Sequence, residues 1–123
     1  MKRILFTLVF LLAALGIRAA DISNISNAFK QGNASALTSS MSGEVDMAVP
    51  GSSRKCNASE AASMLADFFS NNRPTGFSVV HHADKKESGF FVAKLQTGKG
   101  EFRVNVTYQA KGKNVMIQSI RIE

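Results

Sequence analysis

The chain has 123 residues, of which 45% are hydrophobic and 20% charged, with nine glycines and two prolines. This composition excludes a collagen-like, low-complexity or wholly disordered protein, because those classes need more glycine and proline or far fewer apolar residues. The length suits a single globular domain. The formal net charge of +6 is carried partly by the first twenty residues, which differ in character from the rest.

The N-terminal segment predicts a signal peptide. Lys2 and Arg3 precede an uncharged apolar run at residues 4–17, which is shorter than the roughly 20 residues that a membrane-spanning helix needs. Two alanines then supply the small residues of a cleavage site. We expect residues 1–20 to be removed on export to the periplasm or out of the cell, leaving one domain at 21–123 with no membrane span. A buried N-terminal helix is the alternative.

Charge and cysteine content limit the partners of the exported chain. Cleavage removes three cations and no acids, so the net charge falls from +6 to +3. That small excess demands no nucleic-acid partner, and no aromatic residues alternate with the basic ones as in single-strand binders. The single cysteine, Cys56, excludes an internal disulfide, and either packs in the core or cross-links two chains.

Two short helices are predicted at the start of the exported domain. Residues 22–31 carry apolar side chains on one face, and Gly32 supplies a left-handed stop. Asn33 is suited to cap a second helix that includes Leu37 and Met41.

A strand and a longer helix follow. Residues 44–49 alternate apolar and polar side chains, which predicts a strand with one buried face, and residues 50–53 read as a turn. Asn57 and Glu60 have the spacing of a capping box, and Pro74 ends the helix that they begin. The apolar stripe of this helix comprises Ala61, Ala62, Leu65, Phe68 and Phe69.

Four strands joined by three short turns fill the rest of the chain. They are predicted at residues 77–83, 89–96, 101–110 and 114–122. In the last strand the apolar parity changes between Ile117 and Ile120, which predicts a β-bulge near Gln118–Ser119. Helices followed by a bent antiparallel sheet predict an α+β fold, with the helices on one sheet face and a cone whose mouth can hold a ligand.

This order of elements resembles the nuclear-transport-factor-2-like superfamily, a cone-shaped, cystatin-like α+β fold. The stretch from Ala58 to Glu123 is more specifically similar to a family of small exported bacterial proteins of unknown function. The likeness is carried by Phe68, Phe69, Asn72, Pro74, Phe77, His81, Leu95, Thr97, Phe102, Arg103, Val104, Ile117, Ile120, Arg121, Ile122 and Glu123. Ala83 and Ala93 stand where that family is expected to have glycine. The resemblance implies a curved antiparallel sheet wrapped on N-terminal helices, and brings no known reaction with it.

The interior of the cone supplies the candidate ligand site. If Phe77 and Val79 face the core, strand alternation directs His81 inward and His82 outward. The two histidines then cannot share a metal ion, and no cysteine or carboxylate cluster accompanies them, so we predict no metal and no cofactor. The candidate pocket residues are Phe69, His81, Phe102, Val104 and Tyr108.

Two functions of different classes remain open. The first is an exported, non-catalytic module that binds a small apolar ligand or a partner protein. The second is a small isomerase, dehydratase or hydrolase with His81 as base and Tyr108 as hydrogen-bond donor. Enzymes of the resembled superfamily, such as ketosteroid isomerase and scytalone dehydratase, place an acid or a His-Asp pair in the cone to move a proton. The first is preferred, because Asp84 and Glu87 fall at a predicted turn and no carboxylate is expected inside the cone.

Two surface features complete the sequence-based hypotheses. By analogy with sheet-to-sheet dimers of the superfamily, a homodimer face is proposed on the polar side of one strand, at Arg103, Asn105, Thr107 and Gln109. Hairpin tips at one end of the sheet should gather Lys85, Lys86, Lys111 and Lys113. Such a basic rim either meets an anionic partner or keeps the hairpin tips soluble.

Overall fold

A computed structural model describes residues 21–111 and 114–123. The predicted signal peptide and Lys113 of the basic rim lie outside the described residues. The elements are α1 (Ser23–Gln31), α2 (Ala34–Thr38), β1 (Met41–Val49), β2 (Ser52–Cys56), α3 (Ala58–Asn71), β3 (Pro74–Asp84), β4 (Ser88–Thr97), β5 (Gly100–Lys111) and β6 (Asn114–Ile122).

The two N-terminal helices form for the predicted reasons. Gly32 adopts a left-handed conformation, with φ of +65°, and ends α1. The Asn33 side chain then accepts a hydrogen bond from the Ala36 backbone N–H at 3.1 Å and caps α2. Helix α2 is shorter than predicted, because Met41 already belongs to β1.

Helix α3 begins with the predicted capping box. The Asn57 side chain accepts from the Glu60 N–H at 2.8 Å, and the Glu60 carboxylate accepts from the Asn57 N–H at 3.1 Å. Four of the five stripe residues are buried, with Ala61 and Leu65 fully inaccessible, and Ala62 is half-buried. Just before α3, Cys56 is 2% exposed and its sulfur lies 3.4 Å from that of Met64, which supports the packing interpretation of this cysteine.

The six strands form one sheet in the order β2-β1-β6-β5-β4-β3. The sheet is mixed and not purely antiparallel as predicted, because β1 pairs parallel with β6 while all other neighbours are antiparallel. Strand β2 occupies part of the segment predicted as a turn at 50–53. Its first four residues are all exposed, so no apolar alternation marked it as a strand.

Register shifts interrupt several strand pairs, and two of them bear on the candidate site. In β6, Ser119 pairs with Thr107 and Ile117 with Tyr108, so Gln118 is an extra residue and the predicted bulge is confirmed. A bulge in the middle of β3 was not predicted. Val79 pairs with Ala93 and His81 with Val92, which leaves Val80 as the extra residue.

Aromatic side chains fill the space between helices and sheet. The Phe29 ring stacks on Phe77 with centroids 5.0 Å apart and meets Phe69 edge-on at 6.0 Å. Phe77 in turn meets Phe91 edge-on at 6.3 Å. Phe29, Phe91 and Tyr108 have no exposed surface. The core of the cone is therefore a packed aromatic cluster. Within the described residues, none of the helices has the length and apolar character to cross a membrane.

Candidate functional site

The structure does not bring the predicted pocket residues together around one cavity. Phe69, Val104 and Tyr108 are buried in the core, with Val104 and Tyr108 at 0% exposure. Phe102 is half-buried and packs edge-on against Phe68, with ring centroids 5.1 Å apart. His81 is exposed on the opposite side of the sheet. The prediction that His81 faces inward is wrong.

The β3 bulge accounts for this correction. Because Val80 is an extra residue, the alternation of side chains shifts by one position beyond it. His82, paired with the buried Phe91, takes the inward position, and His81 takes the outward one. The same shift directs Asp84 inward, opposite Gly89 on β4.

His82, Asp84 and Tyr108 form a hydrogen-bonded cluster, called here the tyrosine cluster. The Tyr108 hydroxyl donates to Asp84 Oδ1 at 2.6 Å. His82 Nε2 lies 2.7 Å from the same hydroxyl oxygen and 3.2 Å from Asp84 Oδ1. Because the single hydroxyl hydrogen points to Asp84, Tyr108 accepts from His82, and Nε2 must carry a hydrogen. The inward carboxylate that the sequence interpretation did not expect is Asp84.

Gly89 makes room for the tyrosine cluster. It lies opposite Tyr108 on β5 and opposite Asp84 on β3. A Cβ at this position would come within 2.6 Å of the Tyr108 hydroxyl oxygen and 2.8 Å of the Ala83 backbone oxygen. The position therefore requires glycine because of space, since its φ is not in the left-handed region.

The tyrosine cluster is separate from the larger surface clefts. One cleft of about 560 Å³ lies between α3, β2 and the start of β5, and Phe102 is the one pocket candidate that lines it. Another of about 530 Å³ lies beside the start of β6, lined by Asn24, Ser40, Glu44, Gln109, Lys111 and Asn114 among others. Neither is lined by His82, Asp84 or Tyr108. The cluster fastens the end of β3 to β5.

A patch without lysine, arginine, aspartate or glutamate lies on the outer sheet face, the one turned away from the helices. It comprises His81 and Ala83 of β3 with Phe90 and Val92 of β4, and is called here the outer patch. The His81 and Phe90 ring centroids are 5.5 Å apart, and both Phe90 and Val92 are only half-buried. The side chains of Phe90 and Val92 therefore leave part of their apolar surface in contact with water.

The predicted dimer face adjoins the outer patch. Asn105 pairs with Val92, and Thr107 pairs with Phe90, so these polar residues continue the patch across β5. Thr107 also forms a hydrogen bond with the Ser119 hydroxyl. Arg103 and Gln109 are exposed on the same face. The four residues thus share one surface, as their alternation along β5 predicts.

The described lysines of the basic rim are exposed at one end of the sheet. Lys85 and Lys86 occupy the β3–β4 turn, and Lys111 ends β5. A backbone hydrogen bond of 2.9 Å from Ala110 to Glu87 brings the β3–β4 turn against the end of β5.

Comparison with known proteins identifies the family. Residues 22–123 match DUF4783, a domain of unknown function. The chain belongs to the DUF4783 family. A DUF4783 protein from Bacteroides uniformis is 33% identical, with a TM-score of 0.76 over 81% of this chain and 93% of that one. One from Bacteroides ovatus is 31% identical, with a TM-score of 0.75 over 81% and 91%. Among curated proteins, none matches.

More distant structures define the fold of this DUF4783 domain. An NTF-2 like protein of unknown function from Silicibacter pomeroyi has a TM-score of 0.59 at 12% identity, covering 83% of this chain and 87% of that one. The fold is therefore nuclear-transport-factor-2-like, α+β with a curved mixed sheet, and the sequence-based resemblance is confirmed at the level of fold and family.

The tyrosine cluster should make the free energy of unfolding depend on pH in the alkaline range. Burial, reinforced by the hydrogen bond to Asp84, raises the pKa of the Tyr108 hydroxyl above its ordinary value near 10. Above pH 10 the unfolded chain loses this proton while the folded chain keeps it. The free energy of unfolding should then fall by up to about 1.4 kcal/mol per pH unit through this group.

Urea denaturation of the wild type and of Tyr108→Phe from about pH 8 to pH 11 measures this effect. Below pH 10 the wild type should be more stable by about 1 kcal/mol, the contribution of the lost hydrogen bonds. The difference should shrink above pH 10, because phenylalanine has no proton to lose. A difference that stays constant over the whole range would contradict the raised pKa of the Tyr108 hydroxyl.

Proposed function

We propose that this chain is an exported, non-catalytic module that binds a partner protein through the outer patch. The packing of the cone carries the proposal. Phe29, Phe69, Phe77 and Phe91 contact one another where a small ligand of this fold would need space. Recognition is therefore assigned to the surface, and we favour a protein over a small apolar ligand.

The composition of the outer patch supports a protein partner. The centres of protein–protein interfaces are depleted in charge and enriched in aromatic residues. The outer patch has this character, since Phe90 and Val92 lie at its centre and its one titratable group is His81. Asn105 and Thr107 beside it provide the polar rim that such interfaces use.

The enzyme alternative is less favoured by the geometry. A reacting acid or base must reach its substrate. Tyr108 has no exposed surface, and its hydroxyl hydrogen is already donated to Asp84. A raised pKa also makes this hydroxyl a poorer proton donor near neutral pH. His81, the base of that hypothesis, lies on the other face of the sheet.

Export belongs to the same proposal. The apolar segment at residues 4–17 and the alanines before residue 21 support cleavage after Ala20. The intact mass of the chain purified from the exporting cell should therefore correspond to residues 21–123.

Site-specific photo-cross-linking tests the outer patch. A benzophenone amino acid replaces Phe90 in one variant, and replaces the exposed Ser59 of α3 in a matched control. Irradiation in the cells that export the protein should give a discrete protein adduct from position 90 and none from position 59. In the purified complex, Val92→Lys should weaken binding about tenfold or more, because it places a charge in an apolar contact.

The possible outcomes separate the alternatives. An adduct of twice the chain mass would show that the partner is a second copy of the chain. The homodimer would then use the predicted dimer face, which comprises Arg103, Asn105, Thr107 and Gln109. An adduct with another protein supports a hetero-complex. No adduct from position 90, or equal adducts from both positions, would contradict the proposal.

A further inference from the structure

Among the described residues, strand β3 presents a partly uncovered edge of the sheet. It is the terminal strand, so every second residue directs its backbone N–H and C=O away from β4. Helix α1 packs against its beginning, where Phe29 stacks on Phe77 and Gly32 lies beside Pro74. Further along β3, Val79 is 39% exposed and Val80 55% exposed.

The two edges of the sheet differ in charge. Strand β2, at the opposite edge, carries the exposed cations Arg54 and Lys55. Charged side chains on an edge strand discourage pairing with another strand. Strand β3 has no Lys, Arg, Asp or Glu from Pro74 to Ala83. An edge without these four residue types and with exposed β-branched side chains favours the addition of another strand.

The bulge at Val80 leaves a regular stretch beyond it. Residues from His81 to Asp84 pair in sequence with residues from Val92 to Gly89. Half of the backbone groups in this stretch therefore point outward in regular spacing. The same stretch contributes His81 and Ala83 to the outer patch. A strand added here would meet backbone partners at the edge and apolar side chains on the neighbouring face.

We propose that an extended, uncharged segment of a partner protein adds to β3 as a seventh strand of the sheet. The inference rests on the proposed function, because it describes how the partner of the outer patch is held. Backbone hydrogen bonds along His81–Asp84 supply affinity, and apolar side chains at alternate positions of the segment supply selectivity. A stretch of about four residues, roughly 13 Å long, is sufficient.

The first test uses the exported chain and a capped hexapeptide of alternating valine and threonine. Two further versions of this peptide carry N-methyl groups on alternate backbone amides. One version is methylated on the amides that point to one side of the extended peptide, and the other version on those that point to the opposite side. Strand addition uses the amides of one side, so one N-methylated version should bind about tenfold more weakly and the other like the parent. Equal binding by the two versions, or no binding by the parent peptide, would overturn the proposal.

The second test uses variants of the two edges and amide hydrogen exchange. Val80→Lys should weaken peptide binding about tenfold, and Ser53→Lys on β2 should leave it unchanged. The bound peptide should slow exchange at alternate amides of β3 in the wild type, a readout that does not depend on how well a variant folds. If the chain forms concentration-dependent dimers and Val80→Lys abolishes them, the added strand comes from a second copy of the chain and the proposal of a partner segment is wrong.

Failure of this inference is distinguishable from failure of the proposed function. If a partner cross-links at position 90 but does not slow exchange at alternate β3 amides, binding through the outer patch is supported and strand addition is contradicted. If position 90 gives no cross-link, both proposals are contradicted.

Discussion

Gly89→Ala should lower the free energy of unfolding by about 3 kcal/mol, the upper range for overpacking in a core. The new methyl group would lie 2.6 Å from the Tyr108 hydroxyl oxygen and 2.8 Å from the Ala83 backbone oxygen. Tyr108 is fully buried and held by Asp84 and His82, so its ring cannot move aside without breaking those hydrogen bonds. Urea denaturation followed by circular dichroism measures the change.

Gly98→Ala is the matched control for this prediction. Gly98 lies in the turn between β4 and β5, its φ is not in the left-handed region, and no heavy atom lies within 4 Å of a Cβ there. Its free energy of unfolding should change by less than about 0.5 kcal/mol. Equal effects at the two glycines would mean that the close approach at Gly89 is not what limits the substitution.

Phe29→Ala should cost about 4 kcal/mol of the free energy of unfolding, within the range for truncating a buried phenylalanine. Phe29 has no exposed surface and touches the rings of both Phe69 and Phe77, so its removal opens a cavity where α1, α3 and β3 meet. The neighbouring rings belong to a helix and a strand that are themselves fixed, which limits collapse into the space. Thermal and urea denaturation measure the loss.

Val80→Ala provides the comparison for Phe29→Ala. Val80 is 55% exposed, and its truncation should change the free energy of unfolding by less than about 1 kcal/mol. If Phe29→Ala proves as mild as Val80→Ala, the aromatic cluster is not the main source of stability. The pair also tests the proposal that the cone interior is a packed core and not a ligand site, because an empty binding cavity tolerates truncation of its lining.

Local signals predicted most of the fold because they act within a few residues. The stop at Gly32, the cap at Asn33 and the capping box of Asn57 and Glu60 each depend on neighbours three or four residues away. Strand β2 escaped prediction for a physical reason. Its partner β1 supplies the buried face, so Ser52–Lys55 need no apolar side chains of their own and pair through the backbone.

The candidate site was harder to predict, because one extra residue in β3 determines which side chains of that strand face the core. The bulge in β6 was visible in the sequence, since Ile117 and Ile120 are both buried and differ in parity. In β3 no such pattern marks the bulge, because Val79 before it and the extra residue Val80 are both exposed. A register change of one position then exchanged the roles of His81 and His82.

The adjacent valines were the one signal in the sequence that could have indicated the bulge. Two successive β-branched residues followed by two histidines fit poorly into strict alternation. The contact of Asp84 with Tyr108 spans 24 positions along the chain, and no local pattern reports such a distance. Gly89 was read as the start of a strand, and its need for space became visible only with the Tyr108 ring in place.

The parallel pairing of β1 with β6 has a consequence for biosynthesis. Strand β6 sits between the β1–β2 hairpin and strands β5, β4 and β3, so the sheet stays in two parts until β6 has been synthesised. Contacts so distant in sequence form slowly, because a long loop must close before they contribute. A nascent chain of this topology therefore keeps an incomplete sheet until β6 has been synthesised.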